Sequence, residues 1–246
     1  MRLSATQIAC IARCPREWVL KYLMKYPEPR AKALIIGSLF HRLCEGKDLS
    51  GDDFNALDQS FPWQDYFSVM LAGYKKEREI YPPPAFQEVE LVTEDLSAKY
   101  DEIAAQSNGW YIIERKTASK ALDTQIAMIP TETQINIYVA NARRLAEEIW
   151  LDPDRFLGVV YFWTYKPAER QSKKETAAEY GKRLTSSTVS SYYAADRFDP
   201  RIAAVSQEYA KRNADFVTEI FEREKDFKAC PAVTASCTRY GRPCPF

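Results

Sequence analysis

The stretch YIIERKT, residues 111–117, runs from a tyrosine and two isoleucines straight into a glutamate, an arginine and a lysine. Aromatic and β-branched residues in this order suit a strand inside a sheet. Side chains alternate between the faces of a strand, so Glu114 and Lys116 share one face and Arg115 takes the other. Upstream, FQEVELVTED (86–95) alternates apolar and polar residues and reads as a strand. LSAKYDEIAAQ (96–106) reads as a second strand, QSNG as a turn and WYIIERKT as a third strand. An Asn-Gly turn between two such strands predicts a hairpin. That hairpin brings Asp101, expected at the end of the second strand, beside Glu114 and Lys116 at the end of the third.

Two carboxylates and an ammonium at one sheet edge are costly to desolvate unless they pair or bind a cation. A hard divalent ion suits them: Mg²⁺ takes oxygen ligands, keeps several waters and uses one or two carboxylates together with substrate phosphates. A neighbouring lysine can orient a water and offset negative charge building on phosphorus. A plain surface ion pair at a strand end is the alternative reading of the same residues.

Outward from the hairpin the spacing is mostly helical. Residues 4–26 read as a helix capped by Ser4 and kinked or split at Pro15. A second helix is expected over 33–45, and 52–80 are mostly helical up to the Pro82-Pro83-Pro84 stop. Residues 131–149 return to helical spacing as one helix. LGVVYFWTY (157–165) is a continuous apolar run suited to a strand covered on both faces. Residues 166–185 read as polar loop with some helix, SSTVSSYYAADRF (186–198) is ambiguous, and 200–227 read as a long helix. The expectation is one α/β domain over 1–246, with a small mixed central sheet flanked by helices and helical ends wrapping a core at about 33–165.

Composition narrows the class. The chain has 246 residues, 46% hydrophobic and 28% charged, as a globular protein does. Thirty-four basic residues balance 34 acidic ones, so any nucleic-acid binding needs a local basic patch. The first residues, MRLSATQIACIARCPREW, lack the apolar core of a signal peptide, and no stretch approaches the about 20 apolar residues of a membrane helix. A cytoplasmic protein without membrane association is expected. Six cysteines cluster at the two ends: Cys10, Cys14 and Cys44, then Cys230, Cys237 and Cys244. In a reducing compartment clustered cysteines are more often metal ligands than disulfides.

The Asp101…Glu114-x-Lys116 pattern resembles the PD-(D/E)XK nuclease superfamily. GSLFHRLCEG (37–46), with its single histidine His41 four residues from Glu45, resembles the first motif of RecB-like members, in which the matching histidine is an added metal ligand. TQINIYVANA (133–142) resembles their Q-x-x-x-Y motif through Gln134 and Tyr138, which in relatives contacts DNA or supports the site. LSATQIACIARCPREWVLKY (3–22) resembles the family's opening segment. The four matches stand in the family's order over most of the chain. One departure is that Lys99 and Tyr100 stand where a small residue, often glycine, precedes the motif aspartate. The resemblance extends to phage exonucleases and to CRISPR-associated RecB-like nucleases.

The resemblance implies a restriction-endonuclease-like core and a DNA exonuclease using Mg²⁺ or Mn²⁺. Asp101, Glu114, His41 and the backbone carbonyl of Arg115 would hold the metal, and Lys116 would position the attacking water. Some relatives hold a [4Fe–4S] cluster with one N-terminal and three C-terminal cysteines. Here Cys14, Cys230, Cys237 and Cys244 would be its ligands, with zinc or free thiols as alternatives, while Cys10 and Cys44 read as buried hydrophobes. The substrate would be DNA, single-stranded or an end-processed duplex, in phage or prokaryotic recombination and repair, with a helicase or recombination protein as partner. KPAERQSKKE and EYGKRL offer Lys166, Arg170, Lys173, Lys174, Lys182 and Arg183, with Tyr165 nearby, as a grip on the backbone. A non-catalytic DNA-binding or assembly module of the same fold, and a structural iron–sulfur protein, are the rival classes.

Overall fold

The computed structural model describes residues 1–27, 32–57, 63–118, 122–165, 172, 174–176, 178–180, 182 and 188–233. Its centre is the expected hairpin. Strand β3 (Leu96–Gln106) and strand β4 (Gly109–Ala118) pair antiparallel, from Gln106 opposite Gly109 to Glu102 opposite Ile113. β2 (Pro84–Val92) pairs antiparallel with β3, and the two-residue β1 (Leu3–Ser4) pairs parallel with its start. β5 (Phe156–Tyr165) lies parallel to β4, and β6 (Thr188–Ala194) lies antiparallel to β5. The sheet is therefore mixed, as expected, and the ambiguous 186–198 segment resolves largely as its β6 strand.

The β3 edge opposite β2 has a gap. β1 occupies it at Leu96 and Ser97, β4 occupies it from Glu102 onward, and between them residues 98–101 have no strand on this edge among the described residues, though β2 still pairs with 98–100 on the other. Asp101 sits beside that gap, mid-strand, and does not end β3 as the sequence suggested. β3 continues for five residues past it because the hairpin turn falls at 107–108.

Helices cover both faces. On one lie α1 (Ala5–Arg13), the short α2 (Pro15–Trp18) running into a π-helical turn (Val19–Leu23), α6 (Thr133–Ala140), α7 (Ala142–Glu148) and the long α8 (Pro200–Glu224). On the other lie α3 (Lys32–Cys44) and α4 (Trp63–Arg78). α5 (Leu122–Met128) leads from β4 towards α6. β5 alternates between the two cores: Val159, Tyr161 and Trp163 join Ile8, Ile135 and Ala210, while Val160 and Phe162 join Phe40, Phe67 and Met70. Burial on both sides accounts for its unbroken apolar run.

The helix ends follow local chemistry. Ser4 caps α1 in a reciprocal capping box with Gln7. Pro15 opens α2 and splits the predicted first helix after Cys14. Asp199 caps α8, and its side chain accepts from the Arg201 amide. The single helix expected over 131–149 is instead a 3₁₀ turn (Ile129–Thr131) followed by α6 and α7, broken at Asn141. There the backbone leaves the helical well at φ −102° and ψ 7°, and the Asn141 amide donates to the Ile137 carbonyl at 2.8 Å. The apolar spacing continues across this one-residue break, so periodicity cannot register it.

Candidate active site

The gap in β3 opens into a cleft of about 640 Å³ whose walls include His41, Asp101, Glu114, Lys116, Gln134 and Tyr138. These belong to α3, β3, β4 and α6, so four elements converge where the sequence predicted the charged cluster. Beyond Ile113 the β4 backbone leaves the β3 ladder, and the Arg115 amide donates to the Asp101 carboxylate at 2.8 Å. The strands splay and their side chains fill the opening.

Gly37 positions His41. A Cβ on Gly37 would stand 3.2 Å from Thr117 Oγ1, so the missing side chain lets α3 lie close on β4. One turn further along α3, His41 Nδ1 reaches to 3.5 Å from Asp101 Oδ1. Glu45, just past the helix end, lines the same cleft and pairs with Lys47 at 2.5 Å.

Gln134 joins the two sides. Its carbonyl accepts from Lys116 Nζ at 3.1 Å, and its amide donates to Tyr138 Oη at 2.7 Å and to Glu114 Oε1 at 3.3 Å. Lys116 Nζ also pairs with Glu114 Oε1 at 2.5 Å. Tyr138 donates to the Lys99 carbonyl, and its ring lies 4.4 Å from that of Tyr100. The Gln134 and Tyr138 motif therefore acts within the protein, tying α6 to both strands. The other carboxyl oxygen, Glu114 Oε2, is buried with no hydrogen-bond partner among the described residues.

The two carboxylates are driven apart electrostatically. Burial raises the Glu114 pKa to about 7, with the Asp101 charge adding to the rise and Lys116 opposing it. Burial works against the Asp101 charge too, but His41 and Arg115 outweigh it and hold Asp101 below the usual carboxylate range. Burial would lower Lys116, but Glu114 and Glu132 overcome it and keep the ammonium charged.

Arg115 is fully buried on the opposite face, as strand alternation predicted. It pairs with Glu88 at 2.7 Å and approaches Glu102 to 3.7 Å. Glu102 in turn accepts from Tyr74 and, at 2.9 Å, from Arg78. Structural pairing is the role that the place of Arg115 in the strand suggests, but sequence reasoning missed the partners Glu88, Glu102, Tyr74 and Arg78. Their only signal was the adjacent acids of KYDEI, since Arg78 and Tyr74 lie in an ordinary amphipathic helix.

The chain matches the family model of the PD-(D/E)XK nuclease superfamily over residues 2–246. It belongs to that superfamily. No curated protein matches the chain. Among solved structures, SSO0001 is 15% identical, with a TM-score of 0.41, 87% of this chain and 76% of that one covered. A phage-related exonuclease from Haemophilus somnus 129PT is 10% identical, with a TM-score of 0.36, 91% of this chain and 96% of that one covered. Both likenesses are too distant to bear on what the cleft does.

The remaining expectations divide by position. Cys14 and Cys230 are buried free thiols, and Cys230 Sγ lies 3.7 Å from the Val217 carbonyl. Arg16 binds the segment carrying Cys230: its amide donates to Pro231 O at 3.0 Å, and its guanidinium donates to Cys230 O at 2.8 Å and Lys228 O at 2.7 Å. Cys237 and Cys244 lie outside the described residues, as do Lys166, Arg170, Lys173 and Arg183. Lys174 and Lys182 are exposed, and Cys10 is buried as expected. Cys44, expected to be buried, is only half-buried.

Proposed function

We propose that this superfamily member is a divalent-metal-dependent deoxyribonuclease, working as an exonuclease from DNA ends. The observation supporting it most is the meeting of His41, Asp101, Glu114 and Lys116 in one cleft, with Glu114 Oε2 buried and unpartnered. A buried carboxylate oxygen without a donor is expensive in a water-filled reference and suits a cation.

The donors lining the cleft fit a hard ion: two carboxylates and one imidazole, to which the resemblance would add the Arg115 backbone carbonyl. Among the described residues no three His, Cys, Asp or Glu side chains close tightly enough to hold an ion unaided. Such an open set fits Mg²⁺ or Mn²⁺, whose remaining places go to water and phosphate oxygens. When bound, the ion polarises a phosphoryl oxygen and acidifies its water.

The chain's own groups do the rest. Lys116, held charged, positions the attacking water and offsets charge gathering on the phosphoryl oxygens. Gln134 fixes the Lys116 amine and one Glu114 oxygen, while the other has no hydrogen-bond partner among the described residues. The water oxygen bonds to phosphorus as the P–O3′ bond breaks. The proton lost by the water balances that gained by the leaving 3′-oxygen, giving a 5′-phosphate and a 3′-hydroxyl.

The same reading puts the protein in the cytoplasm, in recombination or repair, with a helicase or recombination protein as the partner class. Among the described residues no helix is long and apolar enough to cross a membrane. A [4Fe–4S] cluster on Cys14, Cys230, Cys237 and Cys244 would reinforce the Arg16 staple. Iron and sulfide content of anaerobically purified protein tests it.

The test of the activity is digestion of end-labelled single- and double-stranded DNA with Mg²⁺ or Mn²⁺. Stepwise shortening that Lys116→Ala and Asp101→Asn abolish is expected. Intact DNA across substrates and metals, with DNA still bound, would hand the fold to a non-catalytic binding module.

A further inference from the structure

Glu88 holds an unusual place. It lies within β2, where Gln87 pairs with Glu102 and Val89 with Tyr100, yet its backbone is left-handed at φ 53°. A non-glycine residue takes that conformation inside a strand only when its surroundings hold it there. Its side chain enters the cleft beside Asp101 and bridges two cations, Lys99 Nζ at 2.5 Å and Arg115 Nη2 at 2.7 Å.

The Arg115 guanidinium has no route to solvent, because its side chain is 0% exposed. The carboxylates within 4 Å of it among the described residues are Glu88, Asp101 and Glu102. Glu102 already accepts from Tyr74 and Arg78. Asp101 is closer to being captured: Arg115 Nε lies 3.8 Å from Asp101 Oδ2, and Nη2 lies 3.4 Å from the Asp101 carbonyl. Guanidinium and carboxylate close into a forked pair whenever geometry allows. A captured Asp101 would have its charge neutralised and its oxygens occupied.

We propose that Glu88 is a positioning residue that holds Arg115 off Asp101 and so keeps the Asp101 carboxylate open to a divalent cation. The proposal rests on the reading of Asp101 as a metal carboxylate. It explains why a strand residue keeps a strained backbone to place a further acid in a cleft that already holds Glu45, Asp101 and Glu114. Glu88 acts through Arg115 and need not touch the cation.

The test is Mn²⁺ binding to the full chain without DNA, followed by the electron paramagnetic resonance of free Mn²⁺, with thermal melting of each metal-free variant alongside. Wild type should bind, and Asp101→Asn should lose binding. Glu88→Gln should weaken binding about tenfold or more. Glu88→Asp, which keeps the charge but shortens its reach, should also weaken it, which a bulk-charge effect would not do. Glu88→Gln/Arg115→Met should recover most of the wild-type affinity, since the competing guanidinium is gone. If the double variant fails to melt cooperatively, the Glu88→Asp result decides by itself. Wild-type affinity in Glu88→Gln or Glu88→Asp overturns the positioning role while leaving the metal site intact. A folded double variant that binds as weakly as Glu88→Gln also overturns it. Absence of Mn²⁺ binding in the wild type, or full binding in Asp101→Asn, overturns the metal site itself and Glu88's role with it.

Discussion

The phenol of Tyr138 donates a hydrogen bond to the backbone carbonyl of Lys99, on the edge of β3 away from β2, where neither β1 nor β4 pairs. A helix side chain thus satisfies a strand carbonyl where β1 has ended and β4 has turned away. The same hydroxyl accepts from Gln134, so one residue closes the gap and steadies the bridge to Glu114 and Lys116.

Removing that hydroxyl should therefore act on stability first. Tyr138→Phe removes the donor to the part-buried Lys99 carbonyl and the acceptor of the Gln134 amide, which costs about 1 kcal/mol. Urea denaturation should show the loss as a lower midpoint with an unchanged slope. A midpoint equal to wild type would mean that water satisfies the carbonyl equally well.

Gln134 should behave in the opposite way. Its side chain is half-buried and its contacts are all to site groups, so Gln134→Ala should melt close to wild type. Freed of Gln134, the Lys116 amine loses its fixed direction, and misplacement on this scale costs roughly tenfold to a hundredfold in turnover. The decisive readout is kcat on end-labelled DNA at saturating metal, set against the melting temperature.

Glu114 predicts a pH dependence with a definite sign. Its folded pKa is raised to about 7, so its contribution to stability is complete below the ordinary glutamate value and is lost as pH rises through about 7. A cation needs the ionised form, so its affinity should run the other way and strengthen as pH climbs through about 7. Melting curves with and without Mn²⁺ should diverge with rising pH. Equal metal-induced shifts on both sides of neutrality would contradict this.

Gly37 should prove intolerant of bulk. A Cβ there already meets Thr117 Oγ1 at 3.2 Å, and the branches of valine leave α3 no way to stay seated on β4. Gly37→Val should cost about 1–3 kcal/mol by overpacking and should move His41 away from Asp101. Gly37→Ala asks for a shift of only a few tenths of an ångström. The two variants should then separate in Mn²⁺ affinity, with valine far the weaker.

Much of the cleft could be read from local sequence. A turn through Ser107 and Asn108, closed by Gly109, fixes the hairpin register, and that register sets Asp101 near Glu114. A period of two gives Glu114 and Lys116 a common face, and a period near four puts Gln134 beneath Tyr138. What escaped depends on backbone geometry or distant pairing. The alternation of FQEVELV assigns Glu88 to a regular strand, and no pattern of residue types signals that its φ is positive. Arg78 and Glu102 are 24 residues apart and meet only because α4 crosses the sheet. The break at Asn141 is invisible because the apolar stripe resumes in phase after it.

The Arg16 staple has a consequence for the order in which the protein matures. Ser4, Ala5 and Thr6 form part of the cleft wall, and α1 packs its Ile8 and Ile11 into the same core as Ala210, Ala214 and Val217 of α8. On the ribosome, residues near the start of the chain must wait for those near 230 before their wall of the cleft can set. A half-made chain would carry Asp101 and Glu114 yet lack a finished cleft around them.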